Sequence, residues 1–227
     1  MTSVQQHIPN GQQYGSHAPA SLGIPETDGT GSQGRRGSSV AAEIANEDEH
    51  CMTLADPIDN APPVIVFFSF LDARSKQWAV EHQVVHNIRK NVPQGTTVSR
   101  CHAPMRDTKD FGEQLTHAWA VAKSLHMDDK FITPMFEAIR EKGVHDLEGI
   151  RSVFNDLGVD PSTFLKEWAR DRVIADKEAM DRAVAHLDLQ DVPCILVRGK
   201  DLVKLSDGKD FTAEQAVGAV KRLLARE

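Results

Sequence analysis

Three cysteines, a serine and a few histidines are the residues of this chain whose types could do covalent or metal chemistry. Cys51, Cys101 and Cys194 are widely spaced, and none stands in a Cys-x-x-Cys pair. A dithiol that exchanges with a substrate disulfide needs two thiols about one helical turn apart, and a structural zinc site needs closely spaced ligands. Neither pattern is present, so the cysteines read as buried thiols in apolar, strand-like stretches. Cys194, directly after Pro193, is the one candidate for a reactive thiol. Ser75 could act as a nucleophile only with a general base beside it, and the sequence names none. His82 and His86 stand at i, i+4 beside Glu81, a spacing that can hold zinc. No third and fourth ligand accompanies them, and a solvated helix face is the plainer reading. Cys101 and His102 are adjacent on an extended stretch and alternate faces, so they cannot easily share a metal. No metal site and no cofactor is expected.

These residues belong to a chain of 227 residues with a formal net charge of -7. An acidic chain has no general electrostatic reason to seek nucleic acid or anionic lipid. Hydrophobic residues make up 40%, below the usual share of about 45–50%, and the deficit sits in residues 1–50. Seven of the 15 glycines fall between Gly11 and Gly37, and the only aromatic before residue 51 is Tyr14. Such a segment cannot bury enough apolar surface to offset an ordering cost of about 1–2 kcal/mol per residue. Residues 1–50 are therefore expected to form a disordered tail with a short helical turn around residues 40–45. The tail would serve as a tether or as a segment that recruits a partner. No apolar run of about 7–15 residues follows a positive start, and no run of about 18 apolar residues exists to span a membrane. The chain as written is expected in the cytoplasm, or in the periplasm if the true start encodes an export signal.

Residues 51–227 read as one α/β domain. Val64-Ile65-Val66-Phe67-Phe68 is a continuous apolar run whose length suits a strand buried on both faces. A shorter edge strand is expected over residues 51–54. Asp72 opens a helical pattern with Trp78, Val84, Val85 and Ile88 on one side, ended by Pro93-Gln94-Gly95. A strand follows over residues 96–102, and the resulting βαβ unit implies a right-handed crossover. A helical block spans about residues 109–187. Its apolar stripes are Leu115, Ala118, Trp119, Ala122 and Leu125; then Phe131, Met135, Phe136 and Ile139; then Ile150, Val153, Phe154 and Leu157; then Phe164, Leu165 and Trp168. Gly158 ends one of these helices, and Asp160-Pro161 starts the next. Strands return at residues 192–197 and 202–205 as a hairpin. Thr212 caps a final helix that turns Ala216, Val217, Val220, Leu223 and Leu224 inward.

This order, βαβ, helical block, ββα, resembles a thioredoxin fold with an inserted helical domain. The residues go further and resemble the DsbA family of thiol–disulfide oxidoreductases. The similar stretches are Thr53-Leu54, Ala61-Pro62, Phe67-Phe68-Ser69-Phe70, Leu115-Thr116, Ala118-Trp119-Ala120-Val121-Ala122, Val192-Pro193 and Gly199-Lys200, in family order across residues 51–227. The resemblance implies protein or extended-peptide partners and work in the bacterial periplasm. It also implies a Cys-x-x-Cys pair where this chain has Asp72-Ala73-Arg74-Ser75. The first cysteine of such a pair sits at a helix N-terminus that favours a thiolate, and neither Asp72 nor Ser75 can replace the exchange chemistry. The family's buried acid in the preceding strand corresponds to Val66, which only packs.

Asp72 is expected to cap the helix that follows. Arg74 is expected to point to solvent or to an anionic ligand. Pro193 corresponds to the cis-proline opposite the family's active site, where the backbone of Val192 could pair with an extended peptide. The favoured reading is a redox-inactive, peptide-binding or accessory module that uses Asp72, Arg74, Val192 and Pro193. One alternative is residual thiol chemistry through Cys194. Another is an enzyme resembling the kappa-class glutathione transferases and chromene-carboxylate isomerases, which would use Ser75 and glutathione. The family serine takes the first active position, which is Asp72 here. A third is a structural component recruited through its tail.

Overall fold

The computed structural model describes residues 50–104, 109–204 and 212–226. The expected tail and its turn near residues 40–45 lie outside the described residues. Five strands form one sheet in the order β1-β5-β4-β2-β3: β1 (Cys51–Thr53), β2 (Val64–Phe68), β3 (Val98–His102), β4 (Cys194–Val197) and β5 (Asp201–Lys204). β2 and β3 run parallel, and the other pairs are antiparallel. All five residues of β2 are buried, as its unbroken apolar run requires of a strand covered on both faces. The two-residue period divides them. Ile65 and Phe67 join Cys194 and Leu196 in the core under the helical block. Val64 and Val66 join Ile195 and Val197 in the core on the other face.

The segment opened by Asp72 is not one helix. It comprises α1 (Ala73–Lys76), a π-helical turn (Gln77–Glu81) and α2 (Val84–Asn91). His82 N–H closes the wide turn on the Gln77 carbonyl at 2.9 Å, and Gln83 then sits left-handed at φ 47°. That break resets the helical phase, so Trp78, Val84, Val85 and Ile88 all reach the same core. It also removes the continuous helix that would set His82 and His86 side by side. β3 begins at Val98 rather than residue 96, because Thr96 N–H turns back onto the Pro93 carbonyl at 3.1 Å.

The inserted block holds α3 (Lys109–Ser124), α4 (Asp128–Glu141), α5 (Leu147–Asp156), α6 (Pro161–Trp168) and α7 (Asp171–His186). Leu115, Ala118, Trp119 and Ala122 of α3 are fully enclosed. Gly158 takes φ 87° just past α5. The Asp160 carboxylate accepts the Ser162 and Thr163 N–H groups at 3.0 Å, with Pro161 opening α6. Leu165 departs from its expected inward position and is 54% exposed. It lies about 100° around the helix from Phe164, and Phe164 with Trp168 takes the core-facing side. The last helix, α8 (Ala213–Ala225), has the expected Thr212 cap, completed by a reciprocal bond from the Thr212 N–H to the Gln215 side chain. Among the described residues no helix is long and apolar enough to cross a membrane.

Candidate functional site

The site is built where β2 runs out. After Phe68 the chain turns, and Asp72 N–H bonds the Ser69 carbonyl at 3.2 Å. Asp72 is extended at φ −97°, and its Oδ2 accepts the Ser75 N–H at 2.6 Å. The expected cap is therefore in place. Ser75 is 1% exposed, and its Oγ accepts the Ser69 N–H at 3.1 Å. Among the described residues no histidine or carboxylate bonds that oxygen, so the geometry gives Ser75 the job of tying the turn to the helix start. Ala73 is exposed.

Arg74 does not point freely to solvent. Its Nε is 3.7 Å from Asp72 Oδ1 and its Nη2 is 3.7 Å from Asp191 Oδ1. The guanidinium thus bridges the helix start to the loop before β4. That loop carries the cis peptide bond between Val192 and Pro193, and both residues are buried. A cavity of about 70 Å³ lies between Arg74, residues 187–194 and Lys204. The structure therefore brings Asp72, Arg74, Val192 and Pro193 together. Asp191 is the member that sequence reasoning missed. An exposed aspartate in a polar loop gives no local sign of a distant arginine.

The thiols are elsewhere in chemical terms. Cys194 is 1% exposed, and burial pushes its thiol up to about 12. Burial drives Cys101 higher still, and Cys51 is buried on the edge strand. All three are free. Cys101 and Cys194 both stand opposite Phe67 in the sheet register, on the strands either side of it. A protonated thiol without solvent access is neither nucleophile nor metal ligand.

Behind the site lies a second arrangement that the sequence did not disclose. His102 is completely buried, and its Nε2 accepts the Phe70 N–H at 3.2 Å. Its Nδ1 therefore carries the proton and donates to Thr116 Oγ1 at 2.9 Å, which in turn donates to the Gly112 carbonyl at 3.1 Å. The Phe70 ring stacks on the imidazole at 5.2 Å, and the Phe68 ring meets it edge-on at 5.4 Å. Burial holds the imidazole neutral by lowering its pKa to about 3. The relay anchors the turn between β2 and Asp72 to α3. Cys101 and His102 are both enclosed, and each meets a helix of the inserted block: Cys101 Sγ lies 4.0 Å from the Met180 carbonyl on α7, and His102 bonds Thr116 on α3.

Comparison with known proteins gives consistent matches. The family model described as DSBA-like thioredoxin domain matches residues 74–216. The thiol:disulfide interchange protein DsbA of Salmonella typhimurium is 34% identical over 195 residues, covering 84% of this chain and 93% of that protein. The crystal structure of the disulfide oxidoreductase DsbA from Proteus mirabilis superposes with a TM-score of 0.72 at 26% identity, covering 80% of this chain and 97% of that one. A Proteus mirabilis DsbA variant in complex with the non-covalently bound peptide PWATCDS also superposes with a TM-score of 0.72 at 26% identity, over 80% of this chain and 98% of that one.

Proposed function

This chain belongs to the DsbA-like thioredoxin domain family, and from that premise we propose that it is a peptide- or protein-binding module without dithiol exchange chemistry. The observation that carries the reading is the sequence Asp72-Ala73-Arg74-Ser75 at the helix start facing the Val192-Pro193 loop. Exchange requires an accessible thiolate and a second thiol to resolve the mixed disulfide. The helix start holds neither, and the three thiols of the chain are buried. Binding asks for less. Asp72 and Arg74 line one side of the loop, and Arg74 with Asp191 sets opposite charges at its rim. Those charges suit an extended peptide that brings polar groups to the rim and pairs along the loop backbone. The peptide complex of the Proteus mirabilis relative supports a binding surface in a protein of this fold.

Titration of the full chain with PWATCDS under reducing conditions tests this. Saturable binding is expected, and Arg74→Trp, which fills the cavity beside the loop, is expected to weaken it about tenfold. An unchanged denaturation midpoint would show that the variant is folded. Absence of binding, or binding indifferent to Arg74→Trp, would contradict the proposal.

A further inference from the structure

Arg74 reaches both walls of the candidate site and is fixed to neither. Its contacts with Asp72 on the helix start and with Asp191 on the loop are both 3.7 Å ion pairs, longer than a hydrogen bond. A side chain that meets both walls occupies the gap between them. The cavity of about 70 Å³ lies in that gap, bounded by Arg74, Asp191, Val192 and Pro193. Val192 is buried, and among the described residues no hydrogen bond uses its backbone N–H or C=O. Buried backbone groups without a partner are rare. The two groups suited to pairing with an extended chain therefore stand beside the gap that the arginine spans.

The two ends of the arginine contact differ. The Asp72 side chain is 13% exposed, and its Oδ2 is committed to the Ser75 N–H at 2.6 Å, so that end is anchored. The Asp191 side chain is 75% exposed, and Arg74 is its only ion-pair partner among the described residues. An exposed pair without a hydrogen bond is weak and easily screened. The loop itself is tied, because the Gln190 amide donates to the Asp188 carbonyl at 3.0 Å and to Asp188 Oδ1 at 2.8 Å. The part free to move is the guanidinium, hinged at Asp72 and latched at Asp191.

We propose that the Arg74–Asp191 contact is a strap across the peptide site, an inference that rests on the peptide-binding reading, and that a peptide pairs with Val192 only after the Asp191 end lets go. Binding then forfeits the ion pair, and weakening the pair tightens binding. Calorimetric titration with end-blocked PWATCNS, a peptide without charge, under reducing conditions tests this. At 10 mM sodium chloride, Asp191→Asn should bind about two- to threefold more tightly than the wild type. At 1 M, where the screening length falls to about 3 Å, the difference should vanish. Asp191→Glu keeps the charge and should behave as the wild type at both salt concentrations. Equal affinities of wild type and Asp191→Asn at 10 mM would overturn the strap and leave the binding reading standing. Weaker binding by Asp191→Asn would also overturn it, since Asp191 would then hold the peptide rather than the arginine. Binding by neither protein at either salt concentration would overturn the peptide-binding reading and the strap with it.

Discussion

As the pH falls from 6.5 to about 5, the protein is expected to lose about 2 kcal/mol of stability through His102 alone. The sign follows from where the proton binds. In the folded chain the imidazole stays neutral down to a pKa of about 3, whereas its ordinary value is 6.5. Below pH 6.5 the unfolded chain therefore takes up a proton that the folded chain refuses, and acid favours unfolding. The contribution is complete above pH 6.5 and declines at about 1.4 kcal/mol per pH unit towards pH 3. Two features sustain the low value. The ring has no solvent access, and its Nε2 lone pair is committed to the Phe70 N–H. Protonation would put a charge among Phe68, Phe70 and Trp119 and force two donors to face each other. Asp129, which the guanidiniums of Arg100 and Arg89 hold below its usual range against the opposing effect of burial, loses its stabilising share only at lower pH. Urea denaturation at pH 7 and pH 5 separates the two, with His102→Gln as the reference that cannot titrate. The wild type should lose about 2 kcal/mol more than the variant over that interval. Parallel profiles would show that His102 does not carry the acid sensitivity.

Gly199→Ala is expected to destabilise the fold by about 3 kcal/mol or more, lowering the melting temperature by about 6–12 °C. Gly199 turns the chain between β4 and β5 at φ 67°, a conformation that costs an alanine on its own account. A Cβ there would also lie 2.2 Å from the Ile58 carbonyl oxygen. That neighbour is backbone and is held in place, since Ile58 N–H donates to the Gly199 carbonyl at 2.8 Å and Leu54 N–H to the Lys200 carbonyl at 2.8 Å. Arg198 adds a further constraint, because its guanidinium donates to the Leu224 and Arg226 carbonyls at the end of α8. Gly95 is the informative control. It has φ 88° but nothing near its missing Cβ, so Gly95→Ala should cost only about 1 kcal/mol. Equal losses for the two variants would mean that the clash with Ile58 is relieved by movement and that the turn is not rigid.

The features that could be read from the sequence are those set by neighbouring residues. The apolar run of β2, the Gly158 stop, the Asp160-Pro161 start and the Thr212 cap each depend on a few adjacent side chains. The family-like stretches add the order of the strands and the place of the helical block. The features that escaped depend on distant partners. Gln83 is an ordinary helix former, and only the packing of Trp78 with Val84 and Ile88 explains its left-handed break. Leu165 is apolar but sits on the outer face that Phe164 leaves to it. His102 reads as half of an alternating pair until Phe70 and Thr116 are seen to enclose it. In the candidate site, the resemblance implies Asp72, Arg74, Val192 and Pro193 together. Asp191, which ties Arg74 to the loop, and the buried seat of Ser75 emerge only in three dimensions.

Thiol–disulfide exchange, measured by insulin reduction and by oxidation of a dithiol peptide, tests the central claim most directly. Asp72 and Ser75 occupy the cap and the third position of the helix start, one turn apart, which is where an exchanging pair must sit. The wild-type chain is expected to stay at background in both assays, and the double variant Asp72→Cys, Ser75→Cys is expected to gain activity in both. Wild-type activity above background that disappears in Cys194→Ser would contradict the account, since it would make a buried thiol the working group of an active enzyme.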